Sequence, residues 1–220
     1  MSENQTPAPS ADFDFDEWLA MGERVTHTVN LYSRMGLIAD IEALEKQRVA
    51  HEPVPENDEA MGGDENPNAE LDEKIRHLYE RINESKLSFR VTGRTSAEVD
   101  TIRDTMLTEC SAKIDEESAK GRAEGLKIAK RNGVTTPGDI NALVRATAGE
   151  WSHRFMNREI NLRIVAESTH IIAPDGAMHP ITLDRVRSLY EKLGEQQIGL
   201  LVDAAYQSKD DMPEVTVPKS

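Results

Sequence analysis

The sequence predicts an α+β protein, mostly α, in which a two-stranded antiparallel ribbon covered by a helical hairpin is followed by a helical C-terminal unit. Apolar residues alternate with polar ones in two short stretches, 25–32 and 86–92, and recur at i, i+3, i+4 through most of the rest. Proline, glycine and capping residues at 136–139, 174–176 and 194 punctuate the helical part.

Residues 1–12, rich in Ser, Pro and Thr, are expected to be disordered. Phe13-Asp14-Phe15-Asp16-Glu17-Trp18-Leu19 can dock as one acidic helical turn with Trp18 and Leu19 inward. Val25, His27, Val29 and Leu31 then alternate with Thr26, Thr28, Asn30 and Tyr32, the pattern of a half-buried strand rich in β-branched residues. The period switches at Leu37, and Ile38, Ile41 and Leu44 continue a helix over 37–50. Residues 51–68 mix Pro53, Pro55, Gly62, Gly63 and Pro67 with six carboxylates, an acidic loop. Leu71, Ile75, Leu78 and Ile82 restore helical spacing over 69–85, and Leu87, Phe89 and Val91 open a second strand. A helical hairpin returns the chain to its starting side, so the strands are expected side by side with both helices on the Val25/Leu87 face.

Ser96 is expected to cap the next helix, with Glu98 in its first turn and Val99, Ile102, Met106, Cys110 and Ile114 on one stripe. Residues 13–118 thus form a first unit. Residues 119–136 are charged, with Gly121 and Gly125 and only Leu126 and Ile128 as apolar anchors, and are expected as a linker or exposed helix. Thr136-Pro137-Gly138-Asp139 combines a cap, a proline at the first helical position and a carboxylate in the first turn. The helix it opens carries Ile140, Leu143, Val144, Thr147, Trp151 and Phe155 and runs on to about His170, with room for a break near Asn157. Pro174-Asp175-Gly176 is a turn. Ile181-Thr182 starts a helix that Gly194 ends, and a last helix bears Ile198, Leu201, Val202 and Ala205. Residues 137–208 are the second unit and 209–220 a flexible tail.

The net charge is −14, and it is unevenly spread: residues 1–72 hold 17 acidic against 4 basic side chains, residues 73–220 hold 23 against 22. Such a surface repels nucleic acid and anionic lipid and favours basic protein partners. The single cysteine, Cys110, forms no intrachain disulfide, and no basic-then-apolar signal or membrane-spanning apolar run is present, so a cytosolic protein is expected.

No catalytic residue, metal ligand set or cofactor is assigned. His170 and His179 flank the Pro-Asp-Gly turn, but a zinc site needs three or four converging ligands and no third imidazole or thiolate is near in sequence. His27, on an apolar strand face, is expected as a satisfied core imidazole. Residues 57–70 lack the oxygen, glycine and glutamate spacing of a calcium loop. Gly62-Gly63 lacks the Lys-Ser/Thr of a phosphate loop. Cys110 lies in register on a helical stripe, as a small core residue does.

Two parts of the chain, about half of it, resemble the tail assembly chaperone family of long-tailed actinobacterial phages. One is Phe15-Asp16-Glu17-Trp18-Leu19, with Val25-Thr26-His27-Thr28-Val29-Asn30-Leu31-Tyr32-Ser33-Arg34 and Leu37-Ile38-Ala39-Asp40-Ile41-Glu42-Ala43-Leu44 after it. The other is residues 162–220, an amphipathic helix, the turn, two short helices joined at a glycine, and Glu214-Val215-Thr216-Val217-Pro218-Lys219-Ser220. The resemblance implies a non-enzymatic protein of the host cytoplasm, absent from the mature virion, that binds the tape-measure protein and releases it as tail-tube protein assembles. It also implies a longer frameshifted form, and Val217-Pro218-Lys219 can be encoded across a slippery heptamer. Trp151, Phe155, Leu189, Tyr190 and Leu201 are the candidate guest contacts, and a homo-oligomer is a candidate working state. The rival readings are a tail or head–tail connector protein retained in the virion, and a small enzyme or metalloprotein.

Overall fold

The computed structural model describes Gly22, residues 24–50 and residues 68–206. The expectations for residues 1–12, for 13–19, for nearly all of the acidic loop and for 209–220 lie outside the described residues. The described chain is mostly helical with one small antiparallel sheet.

That sheet has four strands where the sequence led us to expect two. Its order is β1 (Thr26–Tyr32), β2 (Lys86–Thr92), β3 (Thr169–Ile172), β4 (Met178–Pro180), all antiparallel. The first pair is antiparallel, as expected, with Val29 opposite Phe89 and Leu31 opposite Leu87. The second pair is new. The long helix stops at Ser168, short of His170, because Thr169, Ile171 and Ile172 are β-branched and find β2 beside them. The Pro-Asp-Gly turn then folds the chain back, with the Asp175 carboxylate accepting from the Ala177 amide at 2.9 Å.

The described residues form seven helices: α1 (Leu37–Ala50), α2 (Ala69–Glu84), α3 (Ser96–Glu109), α4 (Ser111–Arg131), α5 (Pro137–Ser168), α6 (Leu183–Leu193) and α7 (Glu195–Tyr206). The α1–α2 hairpin does not cover the sheet as expected. Its stripe closes on itself, with Ile41, Ile75 and Ile82 forming a separate small cluster beside Tyr32 at the strand end. The inner sheet face packs instead on α7 and α5. The twelve residues of α7 carry only two charges, Glu195 and Asp203, and Ile198, Leu201, Ala204 and Ala205 form its buried side. Those small and branched side chains join Leu31, Phe89 and Val91 in one core with Val99, Ile102 and Met106 of α3 and Ile164 and Val165 of α5. The two sequence units therefore share a single core.

Residues 119–136 are helical through Arg131, exposed on one side and covered on the other. α4 is a continuous helix lying along the first half of α5, and its contact surface is glycine. Gly121 and Gly125 are buried, whereas Leu126, expected as an anchor, is exposed. An ideal Cβ on Gly121 would stand 2.7 Å from the Ala148 Cα, and one on Gly125 2.8 Å from the Val144 Cα. The backbones approach so closely that only hydrogen fits. α5 itself runs unbroken through Asn157.

α3 is capped one residue earlier than predicted. Thr95, not Ser96, is the N-cap, and its hydroxyl accepts from the Glu98 amide at 3.3 Å while the Glu98 carboxylate accepts from the Thr95 amide at 2.9 Å. The stripe through Cys110 breaks at that residue into α3 and α4, with Cys110 and Ile114 half-buried against the core. Arg94 ties three ends together: its amide donates to the Ala205 carbonyl at 3.1 Å, its Nε to the Ser168 hydroxyl at 3.1 Å, and its guanidinium to the Glu167 carbonyl.

Candidate functional site

A groove of about 450 Å³ lies between the second half of α5 and α7. Its position follows from the α6–α7 corner. Gly194 takes φ 81°, a conformation that side-chain-bearing residues rarely adopt, and its amide donates to the Tyr190 carbonyl at 3.0 Å, so α7 leaves α6 at a fixed angle. Residues three and four apart on each helix then face the gap. α5 contributes Arg154, Asn157, Arg158, Asn161 and Leu162; α7 contributes Glu195, Ile198, Gly199, Val202 and Asp203; Tyr190 closes one end.

The floor is apolar and the rims are charged with opposite sign. Leu162 and Ile198 are buried, and Tyr190 and Val202 are half-buried. Arg154 and Arg158 line the α5 rim, Glu195 and Asp203 the α7 rim. Arg158 is held by its guanidinium lying 5.6 Å from the centre of the Phe155 ring. Gly199 leaves the α7 wall open, since a Cβ there would meet nothing within 4 Å. Beneath the α5 rim, buried Glu159 accepts from Arg187 at 2.8 Å, and this contact raises the Arg187 pKa.

Of the residues expected to meet a guest, only Tyr190 lines the groove. Leu201 is fully buried and Phe155 nearly so, both serving the interior, while Trp151 and Leu189 are half-buried elsewhere on their helices. Large apolar side chains in the sequence do not mark the polar rims. Their signal was nonetheless present: Arg154 and Arg158 at i, i+4, and Glu195, Gly199 and Asp203 at i, i+4, i+8.

The histidines are not brought together. His170 pairs with Pro180 and His179 with Ile171, so the two imidazoles leave the sheet on opposite faces. Among the described residues no three His, Cys, Asp or Glu side chains are grouped to hold a metal ion. His27 is not the satisfied imidazole expected: its Nε2 is buried without a hydrogen-bond partner, as is the Thr169 hydroxyl in the same cross-sheet row through Val91. Cys110 accepts a long hydrogen bond from Arg163 at 3.7 Å. No helix of the described residues is long and apolar enough to cross a membrane.

Compared with protein-family models, with curated proteins and with solved structures, the chain matches none.

Proposed function

We propose that this chain is a tail assembly chaperone of a long-tailed phage, a non-enzymatic protein of the host cytoplasm that keeps the helical tape-measure protein soluble until the tail tube encloses it. The observation that carries the proposal is the α5–α7 groove. An amphipathic helix needs an apolar floor for its stripe and flanks that can meet its own charges of either sign. Leu162, Ile198 and Val202 supply the first, and the Arg154/Arg158 and Glu195/Asp203 rims the second. From Glu195 to Asp203 the wall is about 12 Å long at 1.5 Å per residue, room for about two turns of guest helix.

The groove suits release as well as capture. Two turns present roughly three apolar anchors, worth about 2 kcal/mol each when buried, against an association cost of at least about 4 kcal/mol. One groove therefore binds only weakly, and a long guest with many helical turns is held by several copies together. The acid-rich first third, 17 carboxylates against 4 bases, supplies the charge that keeps such a complex dispersed.

The test is capture of the tape-measure protein encoded beside this chain, comparing wild type with Gly199→Phe. Gly199 lines the groove and a Cβ there meets nothing within 4 Å, so the bulkier side chain is expected to obstruct the groove. Wild type should recover soluble tape-measure protein and the variant, with unchanged circular dichroism, should not. Equal recovery by both removes the groove as the site. Recovery by neither, or the chain found stoichiometrically in purified virions, removes the chaperone reading.

A further inference from the structure

We propose that the open edge of β1 is the interface by which two copies of this chain pair, antiparallel about a two-fold axis at Thr28, into one continuous eight-stranded sheet.

Among the described residues β1 is an edge strand, with β2 on one side only. Its odd-numbered residues direct their backbone groups at β2, as the bonds from Gly93 to the Val25 carbonyl and from Ser33 to the Ser85 carbonyl show. The even-numbered residues therefore direct theirs outward. At Tyr32 both outward groups are already satisfied: the Gln197 side-chain amide accepts from the Tyr32 amide at 2.7 Å and donates to its carbonyl at 2.8 Å, standing in for a neighbouring strand. Thr26, Thr28 and Asn30 have no such partner among the described residues, and all three are exposed. The open stretch thus runs from 26 to 30, and its midpoint is Thr28.

The stretch that Gln197 leaves open is complementary to the same stretch of a second copy. Antiparallel pairing about Thr28 sets Thr28 against its own equivalent and Thr26 against Asn30 of the other copy. It uses all three outward pairs, about six backbone hydrogen bonds at two per hydrogen-bonded pair, and stops where Gln197 already occupies Tyr32. Two of its outer-face side chains are tied to β2: the Ser88 hydroxyl donates to the Asn30 side chain at 2.7 Å and Arg90 donates to the Thr26 hydroxyl at 3.4 Å. Edge strands are ordinarily blunted by a charge, a proline or a bulge. Thr26–Tyr32 has none of these, although the chain carries a net charge of −14. On the outer sheet face the charged side chains are basic, Lys86 and Arg90, so two copies of an acidic protein meet here without opposing carboxylates. This pairing holds or fails independently of the guest proposed above.

The full chain in the Cys110→Ala background, with Thr28→Cys added, tests the pairing directly. Hydrogen-bonded antiparallel partners stand about 5.5 Å apart at Cα, inside the range a disulfide spans. Thr28→Cys should cross-link to a dimer under mild oxidation, and Thr101→Cys, exposed on α3, should not. By sedimentation at tens of micromolar, the natural chain should be a dimer. Thr28→Glu, which sets two carboxylates together, and Thr28→Pro, which removes the outward N–H at a position an edge strand tolerates, should each weaken it about 100-fold or more without loss of helical signal. A monomeric natural chain overturns the proposal. So does a monomer whose Thr28 and Asn30 amides resist hydrogen exchange, which would place residues 1–21 or 207–220 of the same chain on the edge. A dimer that survives both substitutions and gives no cross-link would lie on another face and equally overturns it.

Discussion

Replacing Gly121 by alanine should destabilise the protein, whereas the same change at Gly149 should stabilise it. Both glycines lie inside helices, where alanine is favoured by about 1 kcal/mol. At Gly149 a Cβ meets nothing within 4 Å, so that gain should appear nearly whole. At Gly121 the new carbon would lie 2.7 Å from the Ala148 Cα and 2.7 Å from the Thr147 carbonyl oxygen, roughly 1 Å inside the optimum for nonbonded atoms. Both are backbone atoms and cannot rotate away, so α4 and α5 must part. Overpacking of this kind costs about 1–3 kcal/mol, leaving a net loss of up to about 2 kcal/mol after the propensity gain. At about 2–4 °C per kcal/mol for a chain of this size, the two melting temperatures should move in opposite directions and differ by several degrees. Thermal melts followed by circular dichroism read this. Equal stabilisation by both substitutions would refute the close approach and restore α4 as an exposed helix.

Three further expectations concern stability. Glu98, bonded by the Thr95 amide and then by Arg24, titrates at about 2 instead of 4.5, so its contribution is complete above pH 4.5 and lost as pH falls through 2; discounted for solvent screening it is about 1 kcal/mol. The stability gap between wild type and Glu98→Gln should close over that interval in acid titrations, and a constant gap would contradict the ionised cap. Arg187→Met strips buried Glu159 of its 2.8 Å partner and should lower the urea midpoint by the equivalent of about 2–3 kcal/mol, with Glu159→Leu in the same chain restoring most of it. Phe89→Ala, at a fully buried position on the sheet, should cost about 3–5 kcal/mol in the same assay, and a loss below about 1 kcal/mol would mean that the face is not packed.

Local pattern was legible wherever one residue's neighbours in sequence are also its neighbours in space. The Leu37–Ala50 helix, the two strands β1 and β2 and the Gly194 corner follow from period, β-branching and cap chemistry alone. The failures share a cause. β3 is four residues long and continues the apolar spacing of Ile160, Ile164 and Val165, so only its pairing with β2 distinguishes it from helix, although the Asp-Gly turn between branched residues was a usable sign. α4 looked unanchored because its anchors are the absence of side chains, and small residues register in no hydrophobic period. The covering of the sheet by α7 in place of the α1–α2 hairpin depends on contacts more than a hundred residues apart, such as Tyr32 with Gln197. For the site, apolar bulk pointed inward to Phe155 and Leu201, and the groove is recognisable only once α5 and α7 lie side by side.

The most direct measurement is the soluble fraction of the tape-measure protein expressed with and without this chain. With wild type present it should rise sharply and co-purify with the chain, and with Gly199→Phe it should return to the level seen with the guest alone. Tape-measure protein that is equally soluble in all three conditions would contradict the account.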